Sequence, residues 1–138
     1  RLNDGMGRYV ALRLLKKMSK KNIDVSRSKV LVMGFTFKEN CPDLRNTRVI
    51  DIIEELEEHG VKVDVYDPWV NKKECLKLYK INPSSFPEQD AYDGIVIANA
   101  HTEFREMGIE AIRKFGKAKQ VIFDLKAIFD KNESDINL

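Results

Sequence analysis

The sequence predicts an α/β fold, a three-layer α/β/α, Rossmann-like domain on a short parallel sheet. Short apolar runs bounded by turn residues recur at 30–33, 61–66, 94–98 and 120–123, each about the length of a strand. Between them, apolar residues recur at three- and four-residue spacing, the mark of amphipathic helices. Strands alternating with helices imply parallel pairing through right-handed crossovers, with helices on both faces. About four strands in the order 2-1-3-4, preceded by a helix, are expected.

Residues 3–20 are read as that first helix, with Asn3 or Asp4 as its cap and Met6, Tyr9, Val10, Leu14 and Met18 along one stripe. Lys16, Lys17, Lys20 and Lys21 crowd its end, where cations complement the helix dipole; a solvated helix end is favoured over an anion site. Val30-Leu31-Val32-Met33, closed by Gly34, is the first strand. A polar loop, 36–46, leads to a helix over 48–59 capped by Thr47 and stopped before Gly60. Its glutamates 54, 55, 57 and 58 read as a solvated face rather than a metal site.

Val61, Val63 and Val65 alternate with polar residues in the second strand, and Asp67-Pro68 marks its end. A short helix over 71–79 is expected to turn Leu76 and Tyr79 inward, and 80–90 is a surface loop. Gly94–Ala98 is a fully buried third strand, 109–115 a two-turn helix, and Gln120–Phe123 a fourth strand ending at Asp124. The polar tail beyond Lys131 is expected to fray.

The 138 residues make one domain, able to bury roughly two-thirds of its unfolded surface. With 24 basic against 22 acidic residues there is no global field to favour nucleic acid or an anionic membrane. No apolar run is long enough to span a bilayer and no signal peptide is visible. Two cysteines outside any motif fit a reducing, cytoplasmic setting. The chain opens on Arg1 without an initiator methionine, so a longer parent is expected.

Open α/β sheets bind ligands outside the carboxyl ends of their strands, which makes the loop after strand one the first candidate site. It lacks a dinucleotide cradle: Gly34 is followed by Phe35, Thr36 and Phe37 where G-x-G-x-x-G is required, so usual NAD binding is not expected. Asp67, where such folds place a ribose-binding acid, is read as a strand-end turn instead. Lys38 and Arg45 could hold a phosphate by side-chain charge, with Asp43 orienting the guanidinium; alternatively the three form a surface ion-pair cluster. Cys41 has no histidine in its own loop and is not read as a nucleophile, and Cys75 is read as packing. His101 lies on the ligand edge, as a ligand contact or a structural residue. With His59 it has no metal-ligand spacing.

VLVMGF followed by FKENCPDLRNT resembles the carboxyl-terminal domain of the UDP-glucose/GDP-mannose dehydrogenase family. The Asn-Cys-Pro-Asp form is similar to the branch acting on UDP-N-acetylglucosamine and UDP-N-acetylgalactosamine. RLNDGMG, YDP at 66–68 and IFDLK at 122–126 extend the likeness over nearly the whole chain. The resemblance implies that Phe37, Lys38 and Lys126 contact a UDP-sugar and that Arg45 contacts NAD, which an amino-terminal domain would mainly bind. At Lys126 the family often has arginine, and Leu125 replaces a common glycine. The resemblance also implies that 1–20 is the tail of a central-domain helix and 21–138 the sugar-nucleotide-binding domain. The parent would oxidise a sugar 6-hydroxyl to a carboxylate in two NAD-dependent steps for polysaccharide precursors, through a thiohemiacetal on a cysteine absent here. It would be a homo-oligomer, and this fragment alone would turn nothing over. A non-catalytic assembly module is the competing reading.

Overall fold

β1 (Lys29–Met33) is the spine of the sheet. Val30 and Val32 point to one face and Leu31 and Met33 to the other, and all four are buried, as a strand covered on both sides requires. The computed structural model describes residues 4–138. In it β1 lies between β2 (Lys62–Tyr66) and β3 (Tyr92–Ile97), with β4 (Gly116–Asp124) and then β5 (Ile136–Asn137) beyond β3. Every pairing is parallel, giving the order β2-β1-β3-β4-β5.

One face is covered by α1 (Met6–Lys20) and α2 (Val49–Glu58). Val10, Ala11, Leu14 and Met18 pack with Ile50, Ile53 and Leu56 over Val30, Val32, Val96 and Phe123. The two helices approach closely at Gly7, where a Cβ would stand 2.5 Å from the Asp51 Cβ. α3 (Lys72–Tyr79) adds Cys75 to this layer. The opposite face is covered by α4 (Thr102–Met107) and α5 (Ile109–Arg113), whose Phe104 and Ile112 meet Leu31, Met33, Ile95 and Ile97. The α/β/α layering and the 2-1-3-4 order are as expected from the apolar runs.

Five details differ from the sequence reading. The tail does not fray: Lys131–Glu133 forms a 3-10 turn and Ile136–Asn137 pairs with β4 as a fifth strand. Asp135 anchors it, its carboxylate accepting from Lys21 Nζ (3.0 Å) and the Ile122 amide (2.8 Å). Residues 102–107 form a helix, started by a histidine that supplies no side-chain cap. β4 begins four residues early: Gly116 pairs with Tyr92, and the polar residues 117–120 lie in a register shift before Val121 pairs with Gly94. In α3, Cys75 is the buried residue and Leu76 is half exposed. Asn3 lies outside the described residues, and Gly5, with φ +82°, stands at the start of α1.

Candidate functional site

The strand order turns at β1 and β3: the chain leaves β1 toward β2 on one side and returns to place β3 on the other. Crossover loops part at such a point and leave a crevice at the carboxyl ends of the strands. A cavity of about 400 Å³ occupies it. Its walls are Thr36–Glu39 after β1, Ala98–Ala100 after β3, Leu125 and Lys126 after β4, and Asn46–Val49 at the head of α2, with Met6, Gly7 and Val10 of α1 beside them.

The loop after β1 is held by its backbone. Gly34 turns it with φ +97°, and a Cβ there would stand 2.3 Å from the Asn99 Cβ. Phe35 goes into the core against Tyr79 (ring centroids 5.1 Å apart), whose hydroxyl donates to the Leu44 carbonyl. The amides of Phe35 (2.6 Å) and Thr36 (3.1 Å) donate to Oδ2 of Asp67. Asn99 Nδ2 donates to the Thr36 carbonyl (2.9 Å), and the Thr36 hydroxyl donates to the Lys38 carbonyl (3.0 Å). The Phe37 amide closes the loop on the Asp43 carbonyl (2.8 Å). The result projects Phe37, 54% exposed, and Lys38 beside the cavity.

Lys126 is presented by a second pinned turn. The buried Asp124 carboxylate accepts from the amides of Ile128 (3.2 Å) and Phe129 (3.0 Å), so the chain doubles back at 125–128. Phe37, Lys38 and Lys126 therefore share one cavity. Arg45 is not part of its lining. Its Nε donates to Asp43 Oδ1 (3.1 Å), on a side chain 81% exposed, so the ion-pair reading describes these two residues. The Arg45 hydrogen bond holds the Asp43 carboxyl below its usual range.

Arg48 was missed. Read as the first residue of an amphipathic helix, it lines the cavity and pairs with Asp4. Thr47, expected to cap α2, stands one residue too early: the N-cap is Arg48, which supplies no side-chain cap, and the Thr47 hydroxyl accepts from the Val49 amide (3.3 Å) in a local turn. Lys38, Arg48 and Lys126 thus bring three cations to a crevice that faces the amino end of α2. That is a suitable environment for phosphate oxygens.

Asp67 does more than turn the chain. Its Oδ1 accepts from the Trp69 amide (2.8 Å), the local turn the sequence suggests, and its Oδ2 also takes His101 Nε2 (3.0 Å). Burial alone would raise its pKa, but the His101 bond, followed by the Phe35 amide, brings it below the usual carboxylate value. The amides that would cradle a pyrophosphate after β1 are therefore taken by the protein's own carboxylate. These residues do not fit a dinucleotide in its usual seat. His101 is fully buried and does not line the cavity.

A second depression, about 490 Å³, lies between α1 and β5, lined by Arg13, Lys16, Lys17, Lys20 and Asp135. Among the described residues no group of three or more His, Cys, Asp or Glu could hold a metal. Likewise no described helix is long and apolar enough to cross a membrane. Burial, then the charges of Asp67 and Glu74, pushes the Cys75 thiol up to about 11, while Cys41 is partly exposed. A disulfide reagent at pH 8 is expected to modify Cys41 of the native chain well before Cys75, with both reacting in denaturant. Equal native rates would contradict the packing.

The fold and site define a class: a Rossmann-like α/β domain with a cationic crevice at its switch point and no dinucleotide cradle. The chain belongs to the UDP-glucose/GDP-mannose dehydrogenase family, matching its UDP binding domain over residues 31–131. It is 54% identical over its whole length to a UDP-N-acetyl-D-glucosamine 6-dehydrogenase of Pseudomonas aeruginosa and 51% identical to that of Salmonella typhi. It spans about a third of the length of these curated relatives (33% and 32%). Among solved structures, the UDP-D-ManNAc dehydrogenase of Pyrococcus horikoshii matches with TM-score 0.74 and 27% identity, over 94% of this chain and 29% of that one. The NDP-N-acetyl-D-galactosaminuronic acid dehydrogenase of Methanosarcina mazei matches in fold with TM-score 0.82 over 95% of this chain and 27% of that one, at 24% identity.

Proposed function

We propose that the chain is the sugar-nucleotide-binding portion of an enzyme that oxidises the 6-hydroxyl of a UDP-N-acetylhexosamine to a carboxylate with NAD, supplying polysaccharide precursors. The observation that carries this is the convergence of Lys38, Lys126 and Phe37 on one cavity at the topological switch point. The lysines, joined by Arg48, grip the diphosphate, and Phe37 gives an apolar surface to base or sugar. The relatives' names supply the reaction class.

NAD supplies the hydride acceptor of such a reaction and is held mainly by a domain outside this chain, since Asp67 fills the usual pyrophosphate seat here. Arg45, exposed beside the cavity's loop and steadied by Asp43, is the residue this domain offers to the cofactor. Residues 1–20, which hold α1, are the tail of a central domain and 21–138 form the binding domain. The parent assembles as a homo-oligomer in the cytoplasm. Oxidation belongs to groups elsewhere in the parent; this chain binds, orients and shields.

The test is UDP and UDP-N-acetylglucosamine binding by calorimetry to the chain and to Lys38→Ala. A charge-assisted phosphate contact is worth about 1.5–3 kcal/mol, so the substitution should weaken UDP binding by roughly 10- to 100-fold. Lys126→Ala should weaken it by a similar factor. A wild-type chain that ignores millimolar UDP, or a Lys38→Ala chain that binds it equally well, would return the loop to the assembly reading.

A further inference from the structure

Two fully buried side chains meet under the Phe37–Lys38 loop without reaching the cavity. His101 sits at the head of α4 with no exposed surface, between Trp69 and Phe104 (ring centroids 6.1 and 5.3 Å away). Its Nδ1 accepts from the Asn40 amide (2.9 Å). An imidazole nitrogen that accepts carries no hydrogen, so the proton is on Nε2 and is donated to Asp67 Oδ2 (3.0 Å). That same oxygen holds the amides of Phe35 and Thr36, where the loop begins. The loop's far side is tied again from α4: Asn40 Nδ2 donates to the Thr102 hydroxyl and Asn40 Oδ1 accepts from the Thr102 amide, both at 3.0 Å. Asn40 itself has φ +52°, a conformation that needs such support.

We infer that His101 and Asp67 are positioning residues of the nucleotide site. One imidazole–carboxylate pair fixes both the entry and the exit of the 35–40 loop, and so sets where Lys38 stands, while touching no ligand. The inference rests on the nucleotide-binding reading. It extends that reading to a residue the cavity lining does not contain. The pair also explains the choice of histidine. Glutamine places an amide near Nε2 only and asparagine near Nδ1 only, so neither holds Asp67 and Asn40 at once.

The distinguishing experiment is a double-mutant cycle on UDP affinity, with His101→Gln crossed against Lys38→Ala. His101→Gln keeps the bond to Asp67 and frees the Asn40 amide. It should weaken UDP binding about tenfold in the wild-type background and hardly at all once Lys38 is gone, because its effect passes through that lysine. A residue that merely supports the fold would cost the same factor in both backgrounds. Ring ¹⁵N shifts of the unmodified chain should show the Nε2–H tautomer. Should His101→Gln fail to fold, Asp67→Asn, which weakens the carboxylate's hold on His101 and on the Phe35 and Thr36 amides, replaces it in the same cycle. Additive losses, unchanged UDP affinity, or an Nδ1–H tautomer would each overturn the inference while leaving the nucleotide reading intact. A wild-type chain that binds no UDP would overturn both.

Discussion

Gly34→Ala is expected to lower stability by about 3–5 kcal/mol, a large share of the roughly 5–15 kcal/mol that holds a domain together. Two costs combine. A left-handed backbone costs a residue with a Cβ about 1–3 kcal/mol, and φ here is +97°. The added methyl would also stand 2.3 Å from the Asn99 Cβ and 2.9 Å from its amide nitrogen, so the start of the loop after β3 must move. That movement drags Asn99 Nδ2 off the Thr36 carbonyl, and the variant should lose UDP affinity even where it stays folded. Denaturant titration of the two chains measures the difference. A midpoint close to that of the parent would mean that the β1–β3 crossover is far looser than its packing indicates.

Replacing Asp67 should cost about as much and leave a pH signature. Asp67→Ala strips the acceptor from three buried or half-buried amides and from His101, and breaking a buried polar pair in this way costs about 3–5 kcal/mol. Asp67→Asn keeps one acceptor and removes the charge, so it isolates the titration. The Asp67 carboxyl titrates below its unfolded value, because the hydrogen bonds from His101 and the Phe35 amide outweigh the opposing effect of burial. Its contribution is therefore whole above about pH 3.9, the unfolded pKa, and drains away as pH falls through the lower folded pKa. Urea midpoints measured from pH 5 down to pH 2 should fall more steeply for the parent than for Asp67→Asn. Parallel slopes would show that the carboxylate gains nothing from its partners.

The sheet was legible because its strands are short, apolar and closed by glycine or aspartate. Val30–Met33 and the run from Gly94 could hardly be anything but strands buried on both faces. Ile136–Asn137 was not, since two residues carry no periodicity and their pairing depends on where β4 ends. The Cys75 and Leu76 exchange is a phase error of one residue on an eight-residue helix, where a single apolar position decides the face. At the site, Phe37, Lys38 and Lys126 could be found because cations follow strand ends and the motif resembles a known one. Arg48 was hidden by its place at the start of a convincing helix, and its relation to the cavity exists only after α1 folds across it. Asp67 was half read: the turn is local, but its bonds to Phe35, Thr36 and His101 join residues over thirty positions away, and no window of sequence shows them.

The first helix ties two jobs together. Leu14 and Met18 root it in the interior, whereas Met6 and Gly7 stand at the mouth of the crevice and Asp4 holds the Arg48 guanidinium. Its buried stripe runs without a break from Gly7 through Val10, Ala11 and Leu14 to Met18, so the wall it gives the crevice is clamped along its length and shares the stiffness of the core beneath it.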